Sequence, residues 1–278
     1  MKRIFILGAG GLLGTEMVKK LSPAFDVTAP ASKEADITDH ASLRRSVLGA
    51  KPDIIINCAA QSNVDAAESE MFRTLNVNSY GVADLCEIAA RSGIFLVHIS
   101  TDYVFDGSSI KPYREEDPRK AVNFYGYTKV YAEEIIENTL TDYLIFRVAW
   151  LIGGKRPTFY DKILEWKSSE IGVIDDQIGD PTFAGWATET VRTGIETGMP
   201  SGIYHLTSSA GISRYAFALR LKERFCLPFR VRPVNSAALG RTAARPAYTS
   251  LCTEKLSSVL GIRIPGWEEQ LEDFLKHG

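Results

Sequence analysis

A tyrosine four residues before a lysine, Tyr125-Gly126-Tyr127-Thr128-Lys129, is the part of this sequence that most directly offers chemistry. On a helix that spacing puts both side chains on one face. An ammonium beside a phenol draws the phenol's pKa from about 10 toward the working pH. Such a tyrosine can exchange a proton with a substrate oxygen while hydride moves at the neighbouring carbon, and the lysine keeps donors for a nicotinamide ribose. The pattern is short: 11 tyrosines and the lysine content give roughly 0.6 matches by chance in 278 residues, so the pair needs context.

That context begins at the N-terminus, where Arg3–Leu7 reads as a strand that delivers Gly8-Ala9-Gly10-Gly11-Leu12-Leu13-Gly14 directly to a helix. Glycines at 8, 11 and 14 let the backbone turn tightly, bring a pyrophosphate to the amides at the positive helix end, and seat the helix against the sheet. Gly8, Gly11, Leu12, Leu13 and Gly14 are therefore the candidate dinucleotide loop. NAD-selective enzymes usually carry a carboxylate after the second strand. Here the segment reads Val27-Thr28-Ala29-Pro30-Ala31-Ser32-Lys33. Ser32 and Lys33 offer donors to a 2′-phosphate and point to NADPH; NADH stays open, because both also read as solvated loop. Asp36 and Ile37 are candidate neighbours of the adenine. Farther on, Ile99-Ser100-Thr101-Asp102 closes a strand at the sheet edge where open α/β folds hold their ligands. Ser100 or Thr101 can donate there to a carbonyl oxygen that becomes an alkoxide.

These residues need a scaffold, and the alternation of short apolar runs with amphipathic segments supplies one. Expected strands are Arg3–Leu7, Asp26–Ala29, Asp53–Cys58, Phe95–Ile99 and Tyr143–Val148. Expected helices are Leu12–Leu21, Ala41–Leu48, Ser69–Arg91 and Tyr127–Asn138. The pattern is that of an α/β, doubly wound parallel sheet of the Rossmann type over residues 1–150. Residues 151–278 read as a smaller, partly interleaved substrate-binding cap. It holds a helix over Pro157–Lys167 and a strand over Ile171–Ile174. A helix Ala187–Glu196 and a strand Gly202–Leu206 return about 182–206 to the main sheet. Helices at Ser213–Arg224, with Ser213 as N-cap, and at Trp267–Leu275 close the chain.

Composition narrows the function classes. Hydrophobic residues make up 45% and charged residues 24%, with a net charge of −2, which leaves no electrostatic footprint for nucleic acid. The apolar run after Met1-Lys2-Arg3 is too short for a signal segment or a membrane span, so a cytoplasmic protein without a membrane partner is expected. Cys58, Cys86, Cys226 and Cys252 form no Cys-x-x-Cys motif and read as reduced thiols. His98 and His205 lie in strands and read as hydrogen-bonded core histidines, and no metal site is expected. Glu115-Glu116-Asp117 reads as an exposed loop or helix cap.

With glycine loop, strand-end hydroxyl and Tyr–Lys pair in this order, the chain resembles the extended short-chain dehydrogenase/reductases. Within them it resembles the dTDP-4-dehydrorhamnose reductase family along nearly its whole length. The most specific stretch is Ser100-Thr101-Asp102-Tyr103-Val104-Phe105-Asp106-Gly107. It is supported by Asn57-Cys58-Ala59-Ala60, Val64-Asp65-Ala66-Ala67-Glu68, Asn76-Val77-Asn78 and Asp176-Gln177-Ile178-Gly179-Asp180-Pro181-Thr182. The resemblance implies catalytic roles for Thr101, Tyr125 and Lys129, a cofactor contact at Ala59, Ala60 and Lys129, and a sugar site near Val64, Tyr103 and Trp150. It further implies a small-molecule nucleotide-sugar substrate, a monomer or homodimer, and reduction of the 4-keto group of dTDP-4-dehydro-L-rhamnose to dTDP-L-rhamnose, a precursor of cell-surface polysaccharide. Some members hold Mg²⁺ at a dimer interface through glutamates. Glu16 and Glu189 match two of these, no third match is evident, and both also read as surface residues.

Related 4,6-dehydratases place Asp-Glu after the catalytic threonine, whereas Thr101 is followed by Asp102-Tyr103, which fits reduction without elimination. An epimerase or dehydratase on the same scaffold, and a non-catalytic NADP-binding regulatory subunit, are the competing readings. Retention of Thr101, Tyr125 and Lys129 argues against the last. Two departures bear on the identity of the sugar or nucleotide. The family's Arg-Thr-Ser-Trp is Arg147-Val148-Ala149-Trp150 here, and its Arg-Pro-x-x-Ser-x-Leu-Asp is Arg245-Pro246-Ala247-Tyr248-Thr249-Ser250-Leu251-Cys252. Arg245, with Lys155 or Arg156, is the candidate partner of a substrate diphosphate. A solvated face explains Lys155 and Arg156 equally well.

Overall fold

In a computed structural model, which describes residues 1–154 and 157–277, the first half of the chain alternates strands with crossover helices. β1 (Arg3–Leu7) leads to α1 (Leu12–Leu21), and β2 (Asp26–Thr28) to α2 (His40–Ala50). β3 (Ile54–Asn57) leads to α3 (Val64–Ser69), α4 (Met71–Leu75), a π-helical turn over Asn76–Tyr80, and α5 (Gly81–Ser92). β4 (Phe95–Thr101) runs into a 3-10 turn at Asp102–Val104, then α6 (Phe124–Thr139) and β5 (Tyr143–Val148). The second half contributes β6 (Leu151–Ile152), α7 (Phe159–Leu164), β7 (Glu170–Ile174), β8 (Ile178–Gly179), β9 (Thr182–Phe183), α8 (Ala184–Thr197) and β10 (Gly202–His205). It ends with β11 (Ile212–Ser213), α9 (Arg214–Arg224), β12 (Arg230–Val234), α10 (Glu254–Leu260) and α11 (Trp267–His277).

Six parallel strands form the main sheet in the order β10-β5-β4-β3-β1-β2, the doubly wound arrangement that the sequence predicts. Alternation along β1 divides the core in two. Ile4 and Ile6 pack with Leu13 and Met17 of α1 and Val191 of α8, while Phe5 and Leu7 pack with α2, α5 and α6 on the other face. β3 is buried at all four positions, as a strand covered on both sides must be. A third cluster, around Tyr160, Phe183, Phe217 and Trp267, lies between α7, α9, α11 and the parallel pair β7–β12.

Several expected elements shift for identifiable reasons. The helix expected at Tyr127 starts at Phe124, because Asn123 caps it by accepting from the Gly126 amide at 2.8 Å. The single helix expected over Ser69–Arg91 is broken by the π-helical turn, which aims Asn78 at the loop before α3 and at α6. Its Oδ1 accepts from the Gln61 amide at 2.8 Å and its amide donates to Thr128 Oγ1 at 3.0 Å. The helix expected over Pro157–Lys167 is confined to α7, which a Thr158–Asp161 capping box starts. Strand β12 is unannounced because Arg-Val-Arg-Pro-Val carries charges and a proline. Glu115 is not an exposed loop residue: its carboxylate accepts from the His205 amide at 3.0 Å, with its side chain 6% exposed.

One buried ion pair ties the helix of the Tyr–Lys motif to the sheet. Glu133 on α6 accepts from Arg147 Nε at 3.0 Å and Nη2 at 2.7 Å, from Ser100 Oγ at 2.5 Å, and from Arg119 Nη1 at 3.2 Å. The Arg147 and Glu133 side chains are 1% and 0% exposed. Removing one member strands a buried charge and costs about 3–5 kcal/mol, whereas replacing both by apolar groups is far cheaper. Arg147→Met should therefore lower the urea-unfolding free energy by about 3–5 kcal/mol, and adding Glu133→Leu should recover most of it. An equally unstable double variant would mean that packing, not the carboxylate left with Arg119 as its one charged partner, sets the cost.

Candidate active site

The glycine loop forms the turn its spacing predicts. Gly8 has φ +72°, and a Cβ there would stand 2.6 Å from the Ala59 amide nitrogen; a Cβ on Gly14 would stand 2.1 Å from the Gly8 carbonyl oxygen. Gly11 is the N-cap of α1, with no side-chain cap and no acidic residue in the first turn. By contrast, Asp39, Asn63, Asn123 and Ser213 cap α2, α3, α6 and α9. The first amides of α1 are thus left to an outside acceptor, and the backbone crowding admits no side chain that would block it, which fits a dinucleotide pyrophosphate.

Gly11, Leu12 and Leu13 line one wall of a cleft of about 450 Å³ whose other walls carry Ala60, Val64, Thr101, Tyr103, Tyr125, Lys129 and Trp150. Ala59 adjoins it, its amide held by Asn57 Oδ1 at 3.0 Å. Ser32 and Lys33 are exposed just past β2. Asp36 closes a turn onto Thr38, and Ile37 is buried in the core beside Leu43 and Val82. These four lie outside the cleft lining.

Tyr125 and Lys129 share the face of α6 that looks into the cleft. Asn123 and the Glu68 carboxylate, which accepts from the Phe124 amide at 2.8 Å, fix the start of the helix. The lysine does not act on the phenol as its spacing suggests. Nζ donates to the Ile99 carbonyl at 2.7 Å and sits 2.8 Å from His98 Nε2. Burial pushes the Tyr125 phenol well above its usual pKa, with the neighbouring Thr101 hydroxyl drawing the other way. Tyr125 is consequently held protonated through the neutral range, the form that a proton donor to an alkoxide needs.

His98 is the supporting residue that the sequence leaves in the core. Asn57 Oδ1 is taken by the Ala59 amide, so the Asn57 NH₂ faces His98 Nδ1 at 3.2 Å. Nδ1 is then the acceptor and the ring proton sits on Nε2, pointing at Lys129. A neutral amine at Lys129 satisfies that arrangement, whereas the ammonium that prevails below about pH 8 sets two donors face to face at 2.8 Å. Burial lowers the Lys129 pKa to about 8, while His98, also buried, stays neutral well below its ordinary value. A lone histidine in an otherwise apolar strand, three residues before Thr101, is the signal that could have found it.

At the sheet edge the structure separates the two candidate hydroxyls. Both line the cleft, but Ser100 donates to the buried Glu133 of the scaffold, whereas Thr101 Oγ1 donates to Asp102 at 3.0 Å within the cleft lining. Asp102 is buried, also accepts from Thr249 Oγ1 at 2.6 Å, and is pushed up to about 6 by burial. Thr249 stands where the resembled family has serine, so that departure keeps its hydroxyl. Val148 and Ala149, the other departure, do line the cleft. Trp150 adopts φ +37°, unusual for a side chain of its size, and its indole rests against Gly179, where a Cβ would come within 2.7 Å of the ring. Arg245 is spent elsewhere: Nη1 and Nη2 donate to Asp65 at 2.6 and 2.7 Å, and it does not line the cleft. Lys155 and Arg156 lie outside the described residues. The arginine that does line the cleft is Arg214.

Glu16 and Glu189 line a separate cavity of about 420 Å³ with Asp273, but Glu189 is paired to Arg192 at 2.5 Å. Among the described residues the only three His, Cys, Asp or Glu ligand atoms close enough to share a metal belong to His40, Asp84 and Glu87, on the outer face of α2 and α5.

A lysine whose pKa falls on folding destabilises the fold while it is protonated. That contribution is fully present below about pH 8 and fades as pH climbs toward the ordinary value of 10.5. Lys129→Met should therefore melt no lower than the parent at pH 7, lose that advantage between pH 8 and 10.5, and turn over about 10²-fold more slowly. Thermal melts across that range check the first part; a gap that widens with pH would overturn it.

The likeness to known proteins extends over the same surface. The RmlD substrate binding domain model matches residues 1–278. The spore coat polysaccharide biosynthesis protein SpsK of Bacillus subtilis is 35% identical over 279 residues, covering 99% of this chain and 98% of the relative. A dTDP-4-dehydrorhamnose reductase of Streptomyces griseus is 39% identical over 265 residues, covering 90% and 85%. The crystal structure of dTDP-4-dehydrorhamnose reductase from Bacillus anthracis in complex with NADP superposes with a TM-score of 0.95 at 31% identity, covering 100% of this chain and 99% of that one. Matched from its first residue to its last, the chain belongs to the RmlD substrate binding domain family.

Proposed function

We propose that this chain is an NADPH-dependent reductase that converts dTDP-4-dehydro-L-rhamnose to dTDP-L-rhamnose. The observation that carries the reading is one cleft with an uncapped glycine-turn helix on one wall and Thr101, Tyr125 and Lys129 on the other. NADPH, when bound, supplies the hydride. Gly8, Gly11 and Gly14 would hold its pyrophosphate, and Ser32 and Lys33, exposed just past β2, would offer donors to its 2′-phosphate. Thr101 and Tyr125 orient the 4-keto oxygen, and Tyr125, protonated at neutral pH, delivers the proton as the oxygen gains charge. Lys129 has an ammonium for the ribose hydroxyls once drawn from Ile99 and His98.

Asp102 is the single carboxylate beside Thr101, and both of its oxygens are bonded to threonines. It lacks the partner that a dehydratase uses to shuttle protons. Four free thiols are compatible with a reducing, cytoplasmic setting, and no described helix is long and apolar enough to cross a membrane.

NADPH oxidation by the purified protein with dTDP-, UDP- and GDP-linked 4-keto sugars tests the reading, with the dTDP sugar and NADPH expected to give the highest kcat/KM. Tyr125→Phe should bind NADPH as the parent does and lose about 10²-fold or more in kcat. Turnover of none of the sugars, or an undiminished Tyr125→Phe, would refute it.

A further inference from the structure

Arg214 is the first residue of α9, placed over the cleft because β11 pairs with β8 and so sets Ser213 opposite Ile178, next to the Gly179 on which Trp150 rests. Its guanidinium carbon stands 4.1 Å from the Trp150 ring centroid and 5.4 Å from that of Phe159. Its Nε is buried without a hydrogen-bond partner, and no described carboxylate lies within salt-bridge distance. Asp102 is near enough for the two charges to be felt, yet its oxygens are occupied by Thr101 and Thr249. Arg245, also in the C-terminal half but outside the cleft lining, is neutralised by Asp65, while Arg241 adds like charge near Arg214.

This is an expensive place for a cation. A guanidinium Nε buried without an acceptor loses hydration with no return. A positive charge in the first turn of a helix also opposes the helix dipole. The contact with Trp150 offsets part of this, and the side chain lines the cleft that Tyr103 and Thr101 also line. The strained backbone of Trp150 keeps the platform in position. A planar fork with open donors in a desolvated cleft fits a phosphate ester, which it can grip bidentately.

We propose that Arg214, stacked on Trp150, receives the diphosphate of the nucleotide-sugar substrate. The inference rests on the reductase reading for the identity of that substrate. The source of the phosphate is the substrate and not the cofactor: the cofactor's pyrophosphate has the open amides of α1 on the opposite wall, whereas Arg214 adjoins Trp150 and Tyr103. Arg214 is thus a specificity-determining residue that discriminates nucleotide-linked sugars from free ones.

The test uses the full chain and four titrants: dTDP, UDP, inorganic pyrophosphate and NADPH, measured by calorimetry on the parent, Arg214→Met and Arg214→Lys. Arg214→Met should weaken dTDP and pyrophosphate at least tenfold, leave NADPH within twofold, and raise KM for the sugar nucleotide far more than it changes kcat. Arg214→Lys should fall between, since it keeps the charge and loses the fork. Arg214→Met without ligand should melt at or above the parent, a readout that a merely structural arginine would reverse; if it fails to fold, the idea fails on this count and Arg214→Lys still reports the affinities. Unchanged dTDP affinity in Arg214→Met, or a parallel loss of NADPH, overturns the proposal, as does a parent that binds neither dTDP nor pyrophosphate. A parent that binds dTDP through Arg214 but oxidises NADPH with none of the 4-keto sugars would instead remove the reductase reading and leave this one standing.

Discussion

The carboxylate of Glu133 is the point from which the active cleft is held. It lies one helical turn beyond Lys129 on α6, and its buried bonds to Arg147 on β5 and Ser100 on β4 fasten that helix to the two strands whose ends carry Thr101 and Trp150. Buried pairs of this kind add little net stability because desolvation cancels most of the attraction. What this one supplies is register: a helix that slid or rotated would leave a charge unmatched in a space with no water. Tyr125 and Thr101 can therefore line one cleft although they arrive on different elements.

Much of what identifies the family in sequence turns out to hold that geometry rather than to perform chemistry. Asp65 clamps Arg245, Glu68 receives the first amide of α6, and Asn78 joins the Gln61 loop to Thr128. Asp180 accepts from Ser250, the Leu251 amide and Thr207, which stitches the Gly179 loop to the C-terminal strand segment. Each spends a polar side chain on a long-range backbone or side-chain partner.

Against this scaffold the cleft concentrates unfavourable terms. Lys129 is buried against a neutral imidazole, Asp102 is raised toward neutrality, Trp150 has a left-handed backbone, and Arg214 has a cation without an anion. Groups held at a cost in the free protein are the ones whose energy changes most when a ligand arrives. Local and global preferences agree almost everywhere else in the fold, so their disagreement here outlines the site.

Local pattern was enough to determine a good deal of this protein. Apolar periodicity located the five strands of the N-terminal half, glycine spacing located the phosphate turn, and the i, i+4 separation put Tyr125 and Lys129 on one helix face, because each depends on residues close together along the chain. Where Lys129 points, that Ser100 rather than Thr101 is bonded to Glu133, that Arg245 is neutralised, and that Arg214 is the arginine in the cleft were decided only by folding. Asp65 and Arg245 are 180 positions apart, and Thr249 meets Asp102 across 147. A charge is free or spent according to which partners tertiary packing brings within hydrogen-bonding distance, and a linear sequence carries no measure of that distance.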